Sequence, residues 1–289
     1  MRRLASVMLV GALVLGCGSP APPAPTPPTP PTPPAPTTPT GPSVGDPPPS
    51  TQTRAVPVYY VSETAAGLRL QREFHRVETA DPAGDAVREM LADATGFDPD
   101  YRTLWPTGTS LRRPVSAADG VITVDLTGLT PGAQVGSAGA VLSVQQLVYT
   151  VQGALQSTDP VRILLDGEPV DELFGAVSTA DPVPRADILA TRSLVQIDAP
   201  AEGARLASPV RVTGEAAVFE ATLLWEILRD GQVVRSGVTS TTRGQAFAPF
   251  AFTVQLEPGE YVVRITEDDP SGGEGRPALA DDKTITVTR

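Results

Sequence analysis

Apolar residues run almost unbroken from Leu4 to Leu15, behind Arg2 and Arg3. Two positive charges ahead of a short apolar run form the pattern of a secretory leader. The run is too short to span a bilayer as a helix, which needs ~20 apolar residues. The pattern then vanishes. From Gly18 to Arg54 the chain is nearly all Pro, Thr, Ala, Gly and Ser, with Pro-Pro-Thr-Pro recurring at 27–30. Such a segment has almost no side chains to bury and few backbone donors, so a disordered tether is expected. In polyproline II form, at ~3.1 Å per residue, it would reach on the order of 100 Å.

Alternation begins at Val56-Pro57-Val58-Tyr59-Tyr60-Val61, which predicts a strand with its proline near the start. A second strand is predicted over 68–77, where Leu68, Leu70 and Phe74 share one parity and Arg72 interrupts it. Asp81-Pro82 supplies a helix cap and first-turn proline. Ala83, Ala86, Val87, Met90 and Leu91 follow at helical spacing. Asp119-Gly120, between strands predicted at 111–115 and 121–126, predicts a hairpin because both turn positions require positive φ. Val141, Val144, Val148, Val151 and Leu155 make one stripe of a second helix, with Leu147 beside it. Val161-Arg162-Ile163-Leu164-Leu165 closes the unit as a strand turning at Asp166-Gly167. Strands mixed with two helices predict an α+β fold, a small α/β sandwich over 55–177.

A connector follows over 178–192. Short strands then come in quick succession, at 194–197, 210–213, 222–228, 232–236, 250–255, 261–266 and 284–287. Turn signals at Asp230-Gly231, Pro258-Gly259 and Ser271-Gly272-Gly273 separate them. This spacing predicts an all-β immunoglobulin-like sandwich over 193–289, with Trp225 as its central aromatic and Tyr261 as a corner tyrosine.

The net charge of −11 removes the electrostatic footprint of a nucleic-acid binder, and no nucleic-acid partner is expected. Anionic membrane surfaces would repel the chain, so membrane residence must come from lipid. The one cysteine excludes an internal disulfide, and with a single His it excludes the usual zinc and haem sets. No cofactor or metal is implied. Lys283 is the sole lysine among many arginines, which reads as a coding bias.

The end of the leader, Val14-Leu15-Gly16-Cys17, resembles the bacterial lipobox. That resemblance implies recognition of Val14, Leu15 and Gly16 by lipoprotein signal peptidase, removal of residues 1–16, and diacylglyceryl attachment at Cys17. Two acyl chains anchor stably where one does not. The implied place is the extracytoplasmic face of a bacterial cell membrane, with 17–54 as lipidated cysteine and tether. A buried hydrophobic thiol is the plain alternative for Cys17.

The region 55–175 resembles the GerM-type sporulation and spore-germination domain. The matching residues are Val58-Tyr59-Tyr60-Val61, Arg72-Glu73, Arg76-Val77, Ala86 and Leu91 of the helix, and Leu104-Trp105-Pro106-Thr107-Gly108-Thr109. Further matches are the block from Asp119 to Leu126, Gln146-Leu147-Val148-Tyr149-Thr150 and the strand from Val161 to Gly167. Such domains are related to ring-building envelope modules, so protein–protein contact is implied. From Ser208 to Ala221, and at Trp225, the chain is similar to the immunoglobulin-like domain that accompanies GerM-type domains. Family members often carry Cys near Thr241 to Gly244; this chain has none there, so any role of those residues does not carry over.

The sequence holds no complete catalytic constellation. His75, the only histidine, lies mid-strand among charged residues, where a catalytic role has little support. Gly136-Ser137-Ala138-Gly139 lacks nucleophile-elbow spacing and reads as an approach to the second helix. Asp268-Asp269, Asp281-Asp282 and Glu267 could bind calcium or form solvated loops guarding a sheet edge. Trp105 could be an exposed contact or a plug of the sheet end. The reading that follows is a non-enzymatic, membrane-anchored envelope lipoprotein with envelope-protein partners. A cell-wall glycan or peptide binder is the alternative, and a carboxylate-dependent wall hydrolase a third reading.

Overall fold

In a computed structural model of the chain, residues 52–129, 135–269, 274 and 276–289 are described. The leader, Cys17 and the proline-rich stretch to residue 51 lie outside the described residues, as does the predicted Ser271-Gly272-Gly273 turn.

The first domain opens with a long antiparallel hairpin, β1 (Gln52–Thr64) and β2 (Gly67–Thr79), in which Val58 pairs with Glu73. Strand β1 begins at Gln52, so Gln52, Thr53 and Arg54, assigned from the sequence to the tether, belong to the hairpin. Both faces of β1 are covered. Val56, Val58 and Tyr60 join the main core, while Tyr59 and Val61 join a smaller cluster with Leu70, Leu142 and Tyr149. On β2 the parity reading needs correction. Phe74 is 40 % exposed, whereas Gln71, Glu73 and His75, on the polar parity, are buried. The segment 96–101 covers that face and supplies backbone donors to it.

Helix α1 (Pro82–Ala92) starts as expected, with the Asp81 carboxylate accepting from the Gly84 amide. A second sheet combines β3 (Ser110–Leu111), β4 (Ser116–Ala118), β5 (Val121–Thr127), β6 (Val161–Leu165) and β7 (Glu168–Pro169). Asp119 and Gly120 take φ of 51° and 73° in the β4–β5 turn. The strand expected at 111–115 stops at Leu111: Pro114 has no donor, and the exposed Arg112 is held by Asp125, whose carbonyl accepts from its amide and whose carboxylate accepts from its guanidinium.

Strands β5 and β6 pair in parallel, so the chain between them must cross over, and α2 (Ser137–Leu155) is that crossover. Val144, Leu147, Val148 and Val151 are buried, but Val141 and Leu155, the ends of the predicted stripe, project into solvent. The middle of α2 is enclosed all round. Its Gln145 and Gln152 reach the connector and hold Pro184, Ala186 and Arg185 by hydrogen bonds. After β8 (Glu172–Leu173) and β9 (Val177–Ser178), the connector is thus packed rather than loose, and it contains the short α3 (Ile188–Thr191).

The second domain is a sandwich of two sheets. One has β12 (Val210–Ala216) between β10 (Val195–Ala199) and β15 (Ala248–Val254). The other runs in the order β11 (Ala204–Ala207), β17 (Ala280–Thr288), β16 (Gly259–Glu267), β13 (Thr222–Arg229), β14 (Gln232–Ser240). Strand β11, parallel to β17, has no counterpart in the sequence reading. The core is Leu223, Ile227, Val263, Ile265 and Ile285 facing Val212 and Phe250. The Tyr261 hydroxyl donates to the Glu257 carbonyl at 2.9 Å, a corner tyrosine as predicted. Trp225 is a correction. It lies at the flank, partly exposed, stacked on Phe252 with centroids 4.7 Å apart. Its indole lies over Gly237, where a Cβ would approach to 2.4 Å, so the flank is shaped around glycine.

Candidate functional site

The polar face of β2 and the segment behind it meet the sandwich along a seam, and most of the buried charges among the described residues gather there, Asp125 of the first domain being outside it. At one end, Arg72 clasps Asp198 with Nη2–Oδ2 at 2.7 Å and Nε–Oδ1 at 3.2 Å. Glu215 Oε2 lies 3.3 Å from Arg72 Nη2 and 3.0 Å from Arg192 Nη2. Gln196 accepts from the Arg72 amide and donates to Asp198, and the Ser193 amide donates to the Leu70 carbonyl. Burial works against the charge of Arg72, but Asp198 and Glu215 outweigh it and raise its pKa. Burial likewise opposes the Glu215 anion, and the two arginines overcome it and lower its pKa. A fork-shaped guanidinium suits this shared, bidentate contact.

At the other end stands Lys283 on β17. Its Nζ donates to Asp98 Oδ2 at 2.6 Å, Tyr101 Oη at 2.7 Å and Asp281 Oδ1 at 3.0 Å. Tyr101 donates to Asp281 Oδ1 at 2.7 Å, and Asp281 Oδ2 accepts from the Ile197 amide. All three donors of the ammonium are satisfied, as a buried lysine requires. Burial disfavours its charge, yet Asp281 and Asp98 more than compensate and raise its pKa. Burial pushes the Asp281 carboxyl up against the pull of Lys283.

His75 lies one step from this cluster. Its Nδ1 is 2.8 Å from Glu89 Oε2 and its Nε2 is 3.0 Å from Glu73 Oε2, while its ring stacks on Phe97 at 4.1 Å. Glu73 is held further by the Phe97 amide at 2.9 Å and the Asp98 amide at 2.8 Å. A ring with a carboxylate on each nitrogen is best served by two N–H groups. Burial lowers the His75 pKa, but the bonds to Glu73 and Glu89 prevail and raise it. The Glu73 carboxyl, against its own burial, is lowered by His75 and the two amides.

The structure separates the other candidates. Asp281 and Asp282 point to opposite sides of β17, toward Lys283 and Arg264, and Glu267 pairs with Arg276. Among the described residues no group of three or more His, Cys, Asp or Glu side chains is placed to hold a metal ion. Trp105 is a plug: it is buried, donates from Nε1 to the Ser143 carbonyl at 2.9 Å and meets Phe174 edge-on. Ser137 opens α2 after the Gly136 cap. Val14, Leu15, Gly16 and Cys17 lie outside the described residues. Among the described residues no helix is long and apolar enough to cross a membrane. Sequence reasoning missed Arg72, Asp98, Asp198 and Lys283. The one available signal was a lone lysine in an arginine-rich chain, two residues from Asp281.

No curated protein matches the chain. Among solved structures, the tandem GerMN domains of the sporulation protein GerM from Bacillus subtilis align at 18 % identity and TM-score 0.36, covering 46 % of this chain and 45 % of that one. An engineered protein aligns at 14 % identity and TM-score 0.28, over 54 % of this chain and 39 % of its own. The chain therefore spans less than half the length of either. Residues 57–171 match the model of the sporulation and spore germination family, and residues 194–274 match the immunoglobulin-like domain of bacterial spore germination. The protein carries a GerM-type sporulation and spore-germination domain followed by the immunoglobulin-like domain of bacterial spore germination.

Proposed function

We propose that this protein is a non-enzymatic lipoprotein of a bacterial envelope, anchored through Cys17 and offering its two domains as one contact body to other envelope proteins. The observation that carries the reading is the order Arg2-Arg3, apolar run, Val14-Leu15-Gly16-Cys17, with the sole cysteine of the chain at the end of the leader and a proline-rich stretch directly after it. Diacylglycerol on that sulfur would hold an acidic chain at a surface that its charge alone would avoid. A stretch rich in proline suits a spacer between membrane and domains. The family matches support a sporulation or germination setting. The buried ionisable groups of the seam are engaged in tying backbone and domains together, which supports binding rather than bond-breaking.

The test is expression of the full chain and of Cys17→Ser in a bacterial host fed a labelled fatty acid. The wild type is expected in the membrane fraction, labelled and shortened by its leader. The variant is expected unlabelled and uncleaved. A variant that is processed and retained like the wild type overturns the reading. Crosslinking in intact cells is expected to capture an envelope protein; capture of wall polymer alone would favour the wall-binding alternative.

A further inference from the structure

The lone histidine and the lone lysine belong to one buried row. From the surface inward it runs Glu89, His75, Glu73, the backbone of Phe97 and Asp98, then the Asp98 carboxylate, Lys283 and Asp281. Asp98 is the joint: its amide donates to Glu73 of the first domain, and its carboxylate accepts from Lys283 of the second. The row holds four carboxylates, Glu89, Glu73, Asp98 and Asp281, against two cations, His75 and Lys283. Three of those carboxylates are buried, at 8 %, 4 % and 7 % exposure for Glu73, Asp98 and Asp281.

We propose that the protonation of His75 is coupled to the docking of the immunoglobulin-like domain, so that loss of the imidazolium charge loosens the segment 96–101 and its hold on Lys283.

The charged groups that touch His75 are carboxylates. Its own strand offers Glu73, α1 offers Glu89, β1 offers the neutral Tyr60 with ring centroids 6.0 Å away, and the segment 96–101 offers the Phe97 ring and, through Glu73, Asp98. Asp93, just past the end of α1, lies near enough to act on Tyr60. The two charged groups in contact with the ring, Glu73 and Glu89, are both negative. A neutral imidazole keeps one N–H and turns a lone pair on the other carboxylate. The Glu89 side chain is 40 % exposed and can turn to water. Glu73 cannot turn, because the Phe97 and Asp98 amides clasp both its oxygens. It would remain a buried anion stripped of its counter-charge, a costly state. The strain falls on the segment that clasps it, and that segment carries Asp98 and Tyr101 to Lys283. The electrostatic reach is direct: Asp281, Asp98 and Glu73 all act on the Tyr101 hydroxyl, after its burial, to raise its pKa.

The composition makes the test simple. The untagged full chain, labelled with carbon-13 at histidine and lysine, has one side-chain signal of each kind. Both are followed by NMR as pH is raised from 5 to 9. The Lys283 signal is expected to shift with an inflection at the pH where His75 titrates. In Glu89→Gln, altered at a surface position, the His75 inflection is expected at lower pH, and the Lys283 inflection is expected to move with it. A Lys283 signal that stays flat while His75 titrates overturns the proposal. So does an inflection that stays in place when that of His75 moves. Unfolding would be seen as collapse of both signals to free-peptide positions, which the wild-type titration alone can distinguish from coupling.

Discussion

The ammonium of Lys283 lies 2.6 Å from the carboxylate of Asp98, a residue 185 positions earlier in the chain. The partners come from different domains and both are buried. Removing the cation would leave Asp98 and Asp281 together without it. Lys283→Met is expected to destabilise the protein by about 3–5 kcal/mol, the usual cost of breaking a buried pair. In urea unfolding followed by tryptophan fluorescence, with Trp105 in one domain and Trp225 in the other, the wild type is expected to unfold in one transition. The variant is expected to show two.

Arg72 and Asp198 form the second clasp, with side-chain exposures of 12 % and 18 %. Arg72→Lys keeps the charge but loses the fork that reaches Asp198, Glu215 and the Phe74 ring together. It is expected to cost about 1.5–3 kcal/mol, the value of hydrogen bonds to charged groups. A double-mutant cycle with Asp198→Asn checks it: the two losses are expected to be far less than additive.

The pH dependence follows from the His75–Glu73 pair. His75 binds its proton more tightly folded than unfolded. Its contribution is therefore full below the ordinary value of 6.5 and is lost as pH rises through the raised folded pKa. Glu73 has the opposite sign. Its contribution is full above the ordinary 4.5 and is lost as pH falls through the lowered folded pKa. Stability contributed by the pair is expected to be greatest between 4.5 and 6.5. Urea midpoints measured across pH check this. His75→Gln is expected to flatten the limb above 6.5.

Tyr261 gives a smaller prediction confined to the sandwich. Tyr261→Phe removes the donor to the Glu257 carbonyl and leaves the ring in the core. The expected loss is about 0.5–1.5 kcal/mol, typical of one hydrogen bond. It is checked by the unfolding midpoint, with the seam signals of His75 and Lys283 unchanged.

What was legible in the sequence was what local chemistry decides. Asp119-Gly120, Asp166-Gly167 and Asp230-Gly231 mark turns because both residues of each adopt positive φ, and all three do so, from 51° to 91°. The Asp81-Pro82 start of α1 is equally local. Strand β11 was missed because Ala204-Arg205-Leu206-Ala207 has one large apolar side chain and joins its sheet through a parallel partner far along the chain. Trp225 was placed too deep because its parity is inward but its strand lies next to the sheet edge. The seam was illegible for a related reason. Glu73, Arg72, Asp98 and Lys283 read as ordinary charged positions until folding sets strands from two domains side by side. A charge in a sequence does not announce its distant counter-charge.

The burial of Lys283 also makes the protein a reporter of its own opening. An endoprotease that cuts only after lysine has a single target, the Lys283–Thr284 bond in the middle of β17. That bond is part of the hydrogen-bonded ladder with β16, and each cleavage event records one excursion in which β17 has left its own sheet.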